Sequence, residues 1–285
     1  MTAFSVLLPV YAGDEPEFFA RALASISTDQ ILRPNEIVIV RDGPVPPALE
    51  EVIAHASDGS AVGDIPVTLV RINRNRGLAA ALELGLEACR YEIVARADAD
   101  DISVPHRFSR QLPVIAGDAP GEPDGYDLVG SAIQEFNDDE HHPGMVRRLP
   151  QDGDEIRRVA RFRDPFNHPT VVYRKSAVAR AGGYQHLSKM EDYWLFARML
   201  QCGARVTNLP DPLVLYRVGS GAYKRRGGVE MLASELALQR AFVRSGFVSH
   251  LVGARNVAVR GLYRLVPTGL RQRAYRTMMR LVGKR

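Results

Sequence analysis

Cysteine is nearly absent from this chain: Cys89 and Cys202 are the only two in 285 residues. They sit far apart in apolar-patterned segments. This argues against a disulfide framework or a cysteine-built metal site and predicts two buried free thiols in a reducing, cytosolic compartment. Long apolar runs are missing too. None approaches the roughly 18 to 20 residues of a spanning helix, and "MTAFSVLLPVYAGDEP" lacks the basic start and small-residue cleavage site of a secretory leader. Acid is scarce in one region only. From Tyr223 to Arg285 there are 14 Lys/Arg against Glu230 and Glu235, a balance of +12, which leaves −8 for residues 1–222 under a formal total of +4. An acidic body therefore carries a basic tail.

What is present suffices for a large core. With 46% hydrophobic and 25% charged residues, the chain is predicted to fold as one or two α/β-sized domains. "FSVLLPV" (4–10), "EIVIV" (36–40), "VTLVRI" (67–72) and "EIVARA" (92–97) read as strands, and "EFFARALASIS" (17–27) and "GLAAALELGLEA" (77–88) as amphipathic helices. Near-continuous apolar strands alternating with such helices predict a doubly wound nucleotide-binding half whose ligands collect beyond the carboxyl ends of the strands. Further on, "DAPGEPDGYD" (118–127) punctuates the chain, "LVGSAIQEF" (128–136) and "PTVVYR" (169–174) read as strands, and "NDDEHHPG" reads as an exposed loop. "EDYWLFARMLQCG" (191–203) reads as a helix, "ARVTNLP" and "LVLYRV" as two separate strands, and everything after Gly228 as helical with interruptions at Gly246 and Pro267.

Three acidic positions carry chemistry. Asp98, Asp100 and Asp101 follow the fourth strand in "ARADADD"; such crowding repels itself unless a cation is held there. A hard divalent ion, Mn²⁺ or Mg²⁺, suits carboxylates and phosphate oxygens. The alternative is a capped, solvated loop. Asp42 in "IVIVRDGP" stands past the second strand on the same sheet edge. It either turns the chain or accepts a hydrogen bond from a nucleobase N–H, with Arg76 a candidate donor to base or phosphate. Glu191 and Asp192 open a helix, where acids cap favourably; either could also serve as a general base.

Together these segments resemble family 2 glycosyltransferases of the GT-A fold, in a bacterial polysaccharide, amylovoran-biosynthesis-like branch. "SVLLPVYAGD", "VIVRDG", "NRNRGLAAALELGL", "ARADADDISVPHRF", "FNHPTVVYRK", "GGYQ" and "EDYWLF" appear in the family's order across residues 4 to about 226, with Pro44 standing where the family often has serine. The resemblance implies an α/β GT-A domain over 1–222, with a Rossmann-like nucleotide-binding half (1–101), an acceptor half (102–222) and a mixed central sheet, followed by a basic helical extension (223–285). It implies a base pocket of Pro9, Val10, Tyr11 and Asp42 with Arg76 nearby, Asp98 at ribose or metal, and Asp100 as the main ligand of Mn²⁺ or Mg²⁺. Asp101, pointing away if the segment is extended, is secondary. Asp192 is the expected base with Glu191 its competitor, and His168 lies on the acceptor or diphosphate side.

The implied activity is inverting, metal-dependent transfer of a hexosyl group from a nucleotide-diphosphate sugar, a UDP-sugar first, to a saccharide or lipid-linked acceptor. Rival readings are a nucleotidyltransferase, whose basic phosphate loop is replaced here by the acidic "PVYAGDEP", and a non-catalytic sugar-nucleotide-binding scaffold at the membrane. The tail, as an amphipathic helical pair, fits an anionic membrane surface at the inner face of the plasma membrane. A helical layer on the acidic body or a homodimer contact is the alternative. No nucleic-acid module accompanies its charge.

Overall fold

The computed structural model describes residues 2–119, 124–137, 139–218 and 229–265. Its described residues group into two compact units, one from Met1–His186 with Glu191–Arg217 and one from Leu187–Met190 with Val218–Arg285. The boundary expected at 222/223 and the interruption expected at Pro267 lie outside the described residues.

The first unit begins with β1 (Phe4–Tyr11), α1 (Pro16–Ile26), β2 (Glu36–Asp42), α2 (Pro47–Ser57), β3 (Val67–Ile72), α3 (Leu78–Ala88) and β4 (Ile93–Arg96). Strand β1 pairs in parallel with β2 and β4, and β2 with β3, as near-continuous apolar strands buried on both faces require. Val6, Leu8 and Val10 alternate towards Phe19, Leu23 and Ile26 of α1, and Phe4 meets Phe108 edge-on with centroids 5.0 Å apart. On the other face Gly85 lets α3 lie close to the sheet, since a Cβ there would stand 2.3 Å from Leu7 Cδ1 and 2.6 Å from Val40 Cγ2.

The acceptor half adds β5 (Ile102–Ser103), α4 (Arg107–Ala116), β6 (Leu128–Phe136), β7 (Val146–Arg147), α5 (Gly153–Val159), a 3₁₀ turn (His168–Thr170), β8 (Val172–Arg174), α6 (Lys175–Arg180), α7 (Glu191–Gln201) and β9 (Val206–Arg217). Among the described residues the sheet runs β3-β2-β1-β4-β8-β6-β9-β5, with β7 on β6. Strand β8 is antiparallel to both β4 and β6, so one mixed sheet spans the two halves.

Two sequence expectations need correction, and one helix stands where no element was expected. The two strands expected around Pro210 are one, β9, because register shifts opposite Ser131–Ile133 of β6 absorb the proline-bearing stretch as a bulge. Residues 47–57 form a helix, α2, that buries only Leu49, Ile53 and Ala56. Both cysteines are free, but Cys202 is exposed at the end of α7; burial holds for Cys89, whose thiol it pushes up to about 12.

The second unit is a helical hairpin, α8 (Val229–Arg244) and α9 (His250–Leu265), turned through Gly246 at φ 74°. Leu238, Phe242 and Val248 are buried in it, with Phe242 and Phe247 ring centroids 4.9 Å apart. Among the described residues no helix is long and apolar enough to cross a membrane.

Candidate active site

A cleft of about 300 Å³ opens beyond the carboxyl ends of β1, β2 and β4, where open α/β sheets gather ligands. Pro9, Val10, Tyr11, Asp42, Asp98 and Asp100 all line it; the Arg76 side chain does not, although its neighbours Asn75 and Gly77 do. Tyr11 is 48% exposed at the mouth.

Asp42 ends β2, and Gly43 follows at φ 89°, a conformation that favours glycine. Its carboxylate accepts the backbone N–H of Arg76 at 2.7 Å and of Gly77 at 2.8 Å, ahead of α3. The contact with Arg76 is therefore made by its main chain, while the side chain stays exposed. Each carboxylate oxygen keeps a second lone-pair direction for a ligand donor.

The acidic cluster is built around a buried cation. Arg96, the last residue of β4, is only 2% exposed and forms a two-pronged ion pair with Asp98. Its backbone carbonyl in turn accepts Arg107 Nη2 at 2.7 Å. The chain bends at Ala99 and Asp100, so strand alternation ends there. Ligand atoms of Asp98, Asp100 and Asp101 consequently fall within 4.8 Å of one another, and the expectation that Asp101 points away is corrected.

Asp101 is buried because β5 pairs antiparallel with β9, Ile102 opposite Leu215. Its Oδ1 accepts the Arg217 N–H at 2.9 Å, and its Oδ2 has no hydrogen-bond partner among the described residues. Arg217 Nε donates to the Asp100 carbonyl at 3.0 Å. Its guanidinium lies between the rings of Phe18 and Phe136, 3.8 and 4.4 Å from their centroids. That sandwich fixes the fork in place.

Crowding shows in the acidities. Burial first, then the charge of Asp98, pushes Asp100 up to about 6. Burial, Asp100 and Asp98 hold Asp101 well above the usual carboxylate range. Asp14, which sequence reading missed, lines the same cleft. Burial and the charges of Asp100 and Asp98 raise it to about 7, against the Tyr11 N–H that it accepts at 2.9 Å. A site that raises several carboxylates while leaving a buried oxygen without a donor matches a hard divalent cation in its donor chemistry.

At the start of α7, Asp192 Oδ1 accepts its neighbour's N–H, from Tyr193, at 2.7 Å. Its Oδ2 stands 3.7 Å from His168 Nδ1, and His168 Nε2 pairs with the Tyr184 hydroxyl at 3.0 Å. Burial raises Asp192, and the charges of Arg96 and Asp98 also act on it, which ties it electrostatically to the cluster. Burial, then the charge of Arg96, keeps His168 well below its ordinary value, so it is neutral at pH 7. Glu191 shares the first turn of α7.

Arg96, like Asp14, is a residue that sequence reading overlooked. Its one signal is a charge inside an apolar strand, two positions before Asp98. Asp14 gave a fainter sign, an acid in the loop after β1.

The family model for glycosyl transferase family 2 matches residues 5–182. Amylovoran biosynthesis glycosyltransferase AmsE of Erwinia amylovora is 38% identical over 275 residues, covering 95% of this chain and 97% of that protein. The UDP-Gal:alpha-D-GlcNAc-diphosphoundecaprenol beta-1,3-galactosyltransferase of Escherichia coli is 33% identical, covering 97% of this chain and 96% of that one. Among solved structures, the mannosyltransferase PcManGT from Pyrobaculum calidifontis in complex with GDP-Man and Mn²⁺ superposes with a TM-score of 0.61 at 16% identity, over 97% of this chain and 80% of that one. S. aureus TarS 1–349 in complex with UDP-GlcNAc gives 0.62 at 16% identity, over 85% and 67%. These two likenesses concern the fold alone.

Proposed function

Because the chain belongs to glycosyl transferase family 2, with the GT-A fold, we propose that it transfers a hexosyl group from a nucleotide-diphosphate sugar, a UDP-sugar, with inversion at the anomeric carbon. The acceptor is a saccharide or lipid-linked saccharide, and the pathway is polysaccharide biosynthesis. The relatives' printed activities support this reading, the galactosyltransferase acting on a diphosphoundecaprenol-linked sugar. The observation that carries it is one cleft lined by Asp42, Asp98 and Asp100, with Asp192 electrostatically tied to Asp98.

In this reading Pro9, Val10 and Tyr11 wall the base, Asp42 accepts its ring N–H, and Arg76 donates to base or phosphate from the exposed loop. Asp100, with Asp98 beside it, is the set that would hold Mn²⁺ or Mg²⁺, which when bound neutralises charge developing on the leaving diphosphate. Arg96 holds the Asp98 carboxylate in place through its two-pronged ion pair. Asp192 removes the proton from the acceptor hydroxyl; its raised affinity for protons suits a general base. His168 lies beside it on the acceptor side, and Glu191 is the competing base. A single displacement needs one such base and no carboxylate nucleophile. The protein works in the cytoplasm, where nucleotide sugars are made.

Asp192→Asn is expected to retain UDP binding by calorimetry while transfer falls by 10²-fold or more, the scale of general-base loss. Transfer at the wild-type rate would remove Asp192 from the role. Asp100→Ala is expected to abolish Mn²⁺-dependent UDP binding, and binding that persists would remove Asp100 from the metal site.

A further inference from the structure

The turn that follows α6 is held at more points than a connection needs. Gly182 and Gly183 bend it at φ 80° and 67°, conformations that favour glycine, and a Cβ on Gly183 would collide with the Glu83 carboxylate of α3. Glu83 Oε2 accepts the Tyr184 N–H at 2.6 Å. Buried Arg198 of α7 donates Nη2 to the Gly183 carbonyl at 2.7 Å and Nη1 to that of Ala181. These contacts fix the backbone from which the buried Tyr184 side chain reaches His168, with its hydroxyl 3.0 Å from Nε2. Phe196 meets the imidazole edge-on with centroids 5.9 Å apart, and Tyr173 meets Tyr184 edge-on at 6.5 Å, which holds both rings in orientation.

A neutral imidazole carries one N–H, and its surroundings decide on which nitrogen. Nδ1 of His168 faces Asp192 Oδ2 at 3.7 Å. A lone pair aimed at that carboxylate would repel it, whereas an N–H attracts it. The Tyr184 hydroxyl can donate as well as accept, so it can satisfy a proton-free Nε2. We propose that Tyr184 and His168 are positioning residues for Asp192: the Tyr184 O–H donates to His168 Nε2, this keeps the imidazole in its Nδ1–H tautomer, and that N–H orients the carboxylate towards the acceptor hydroxyl. The contact of 3.7 Å closes to hydrogen-bond length when the acceptor is bound, as catalytic hydrogen bonds commonly do. The acceptor O–H bond breaks, the proton goes to Asp192 and stays there, because burial and the charge of Arg96 make His168 too weak a base to take it on. The assignment rests on the reading of Asp192 as the general base.

The test combines proton–nitrogen correlation NMR of the full chain with transfer kinetics, read as UDP released from the UDP-hexose that the wild type turns over. His168, identified by the loss of its signals in H168N, is expected as the neutral Nδ1–H tautomer at pH 7; the Nε2–H tautomer or an imidazolium would overturn the proposal. Y184F removes one hydroxyl and keeps the ring. It is expected to lower kcat about fivefold, the scale of one neutral hydrogen bond, with KM for the UDP-hexose unchanged. H168N, whose amide N–H can stand where Nδ1–H stood, is expected to keep more of kcat than H168Q, whose amide reaches the Nε2 position, and the reverse order would count against the tautomer. In the D192N background, adding Y184F is expected to leave the residual transfer unchanged, since its effect passes through Asp192. The same fivefold loss in that background, or wild-type kcat in Y184F alone, would make Tyr184 a core residue only. Transfer at the wild-type rate by D192N would instead remove the base itself and the positioning with it, so the two failures are told apart.

Discussion

Replacing Asp14 with asparagine isolates the electrostatic cost of the cleft. The amide oxygen can still accept the Tyr11 N–H, so the main change is the loss of a charge facing Asp98 and Asp100. In the folded protein the Asp14 carboxyl sits at about 7 against an ordinary value of 3.8. Across that window the folded state holds a proton that the unfolded chain has lost, so stability falls as pH rises. The full displacement corresponds to about 4 kcal/mol at 1.36 kcal/mol per pKa unit, and solvent screening of this part-exposed group reduces it to about 2 kcal/mol. For a chain of this size that is roughly 4 °C in Tm. With a chelator present, the Tm of Asp14→Asn is expected to diverge upward from wild type between pH 4 and 7 and to lie about 4 °C higher at pH 8. Added Mn²⁺ is expected to shrink the gap, because a cation at the cluster favours the ionised form. A gap that is constant with pH, or Asp14→Asn less stable at pH 8 without metal, would refute the reasoning.

Other residues allow equally direct checks. Arg217→Met is expected to weaken Mn²⁺-dependent UDP binding tenfold or more while leaving metal-free UDP binding near wild type, since it frees the Asp100 carbonyl and leaves Asp42 untouched; equal loss in both would make it a folding residue only. Gly85→Ala is expected to lower stability by about 1–3 kcal/mol through overpacking against Leu7 and Val40, read as a reduced urea midpoint, and an unchanged midpoint would mean that α3 shifts freely.

The strands of the first hundred residues are legible as near-continuous apolar runs, and α1 and α3 by the helical spacing of their buried side chains. Helix α2 is harder to read, since three buried side chains on eleven residues leave a faint period. The prolines of β9 look like a break because the bulge that tolerates them depends on β6, more than seventy residues earlier. In the cleft, Asp42 and Asp98 can be placed on one sheet edge from strand order alone. The side chains around them cannot. Arg76 looks like a ligand donor, yet only its main chain reaches Asp42. Asp101 looks averted until the bend at Ala99–Asp100 is known. Arg96 reads as a strand terminus, and its role as counter-ion follows only from its burial beside Asp98.

The bond between Asp101 and the Arg217 N–H spans 116 residues of chain. During synthesis, the whole acidic cluster and its Arg96 counter-ion emerge well before β9 does. Strand β5 must wait for β9 to pair, and such distant pairing forms late. A nascent chain thus carries its carboxylates in a loose loop, and the tightened arrangement belongs only to a chain whose sheet has closed from β3 to β5. Assembly order therefore withholds the finished site from incomplete chains, without any separate inhibitory segment.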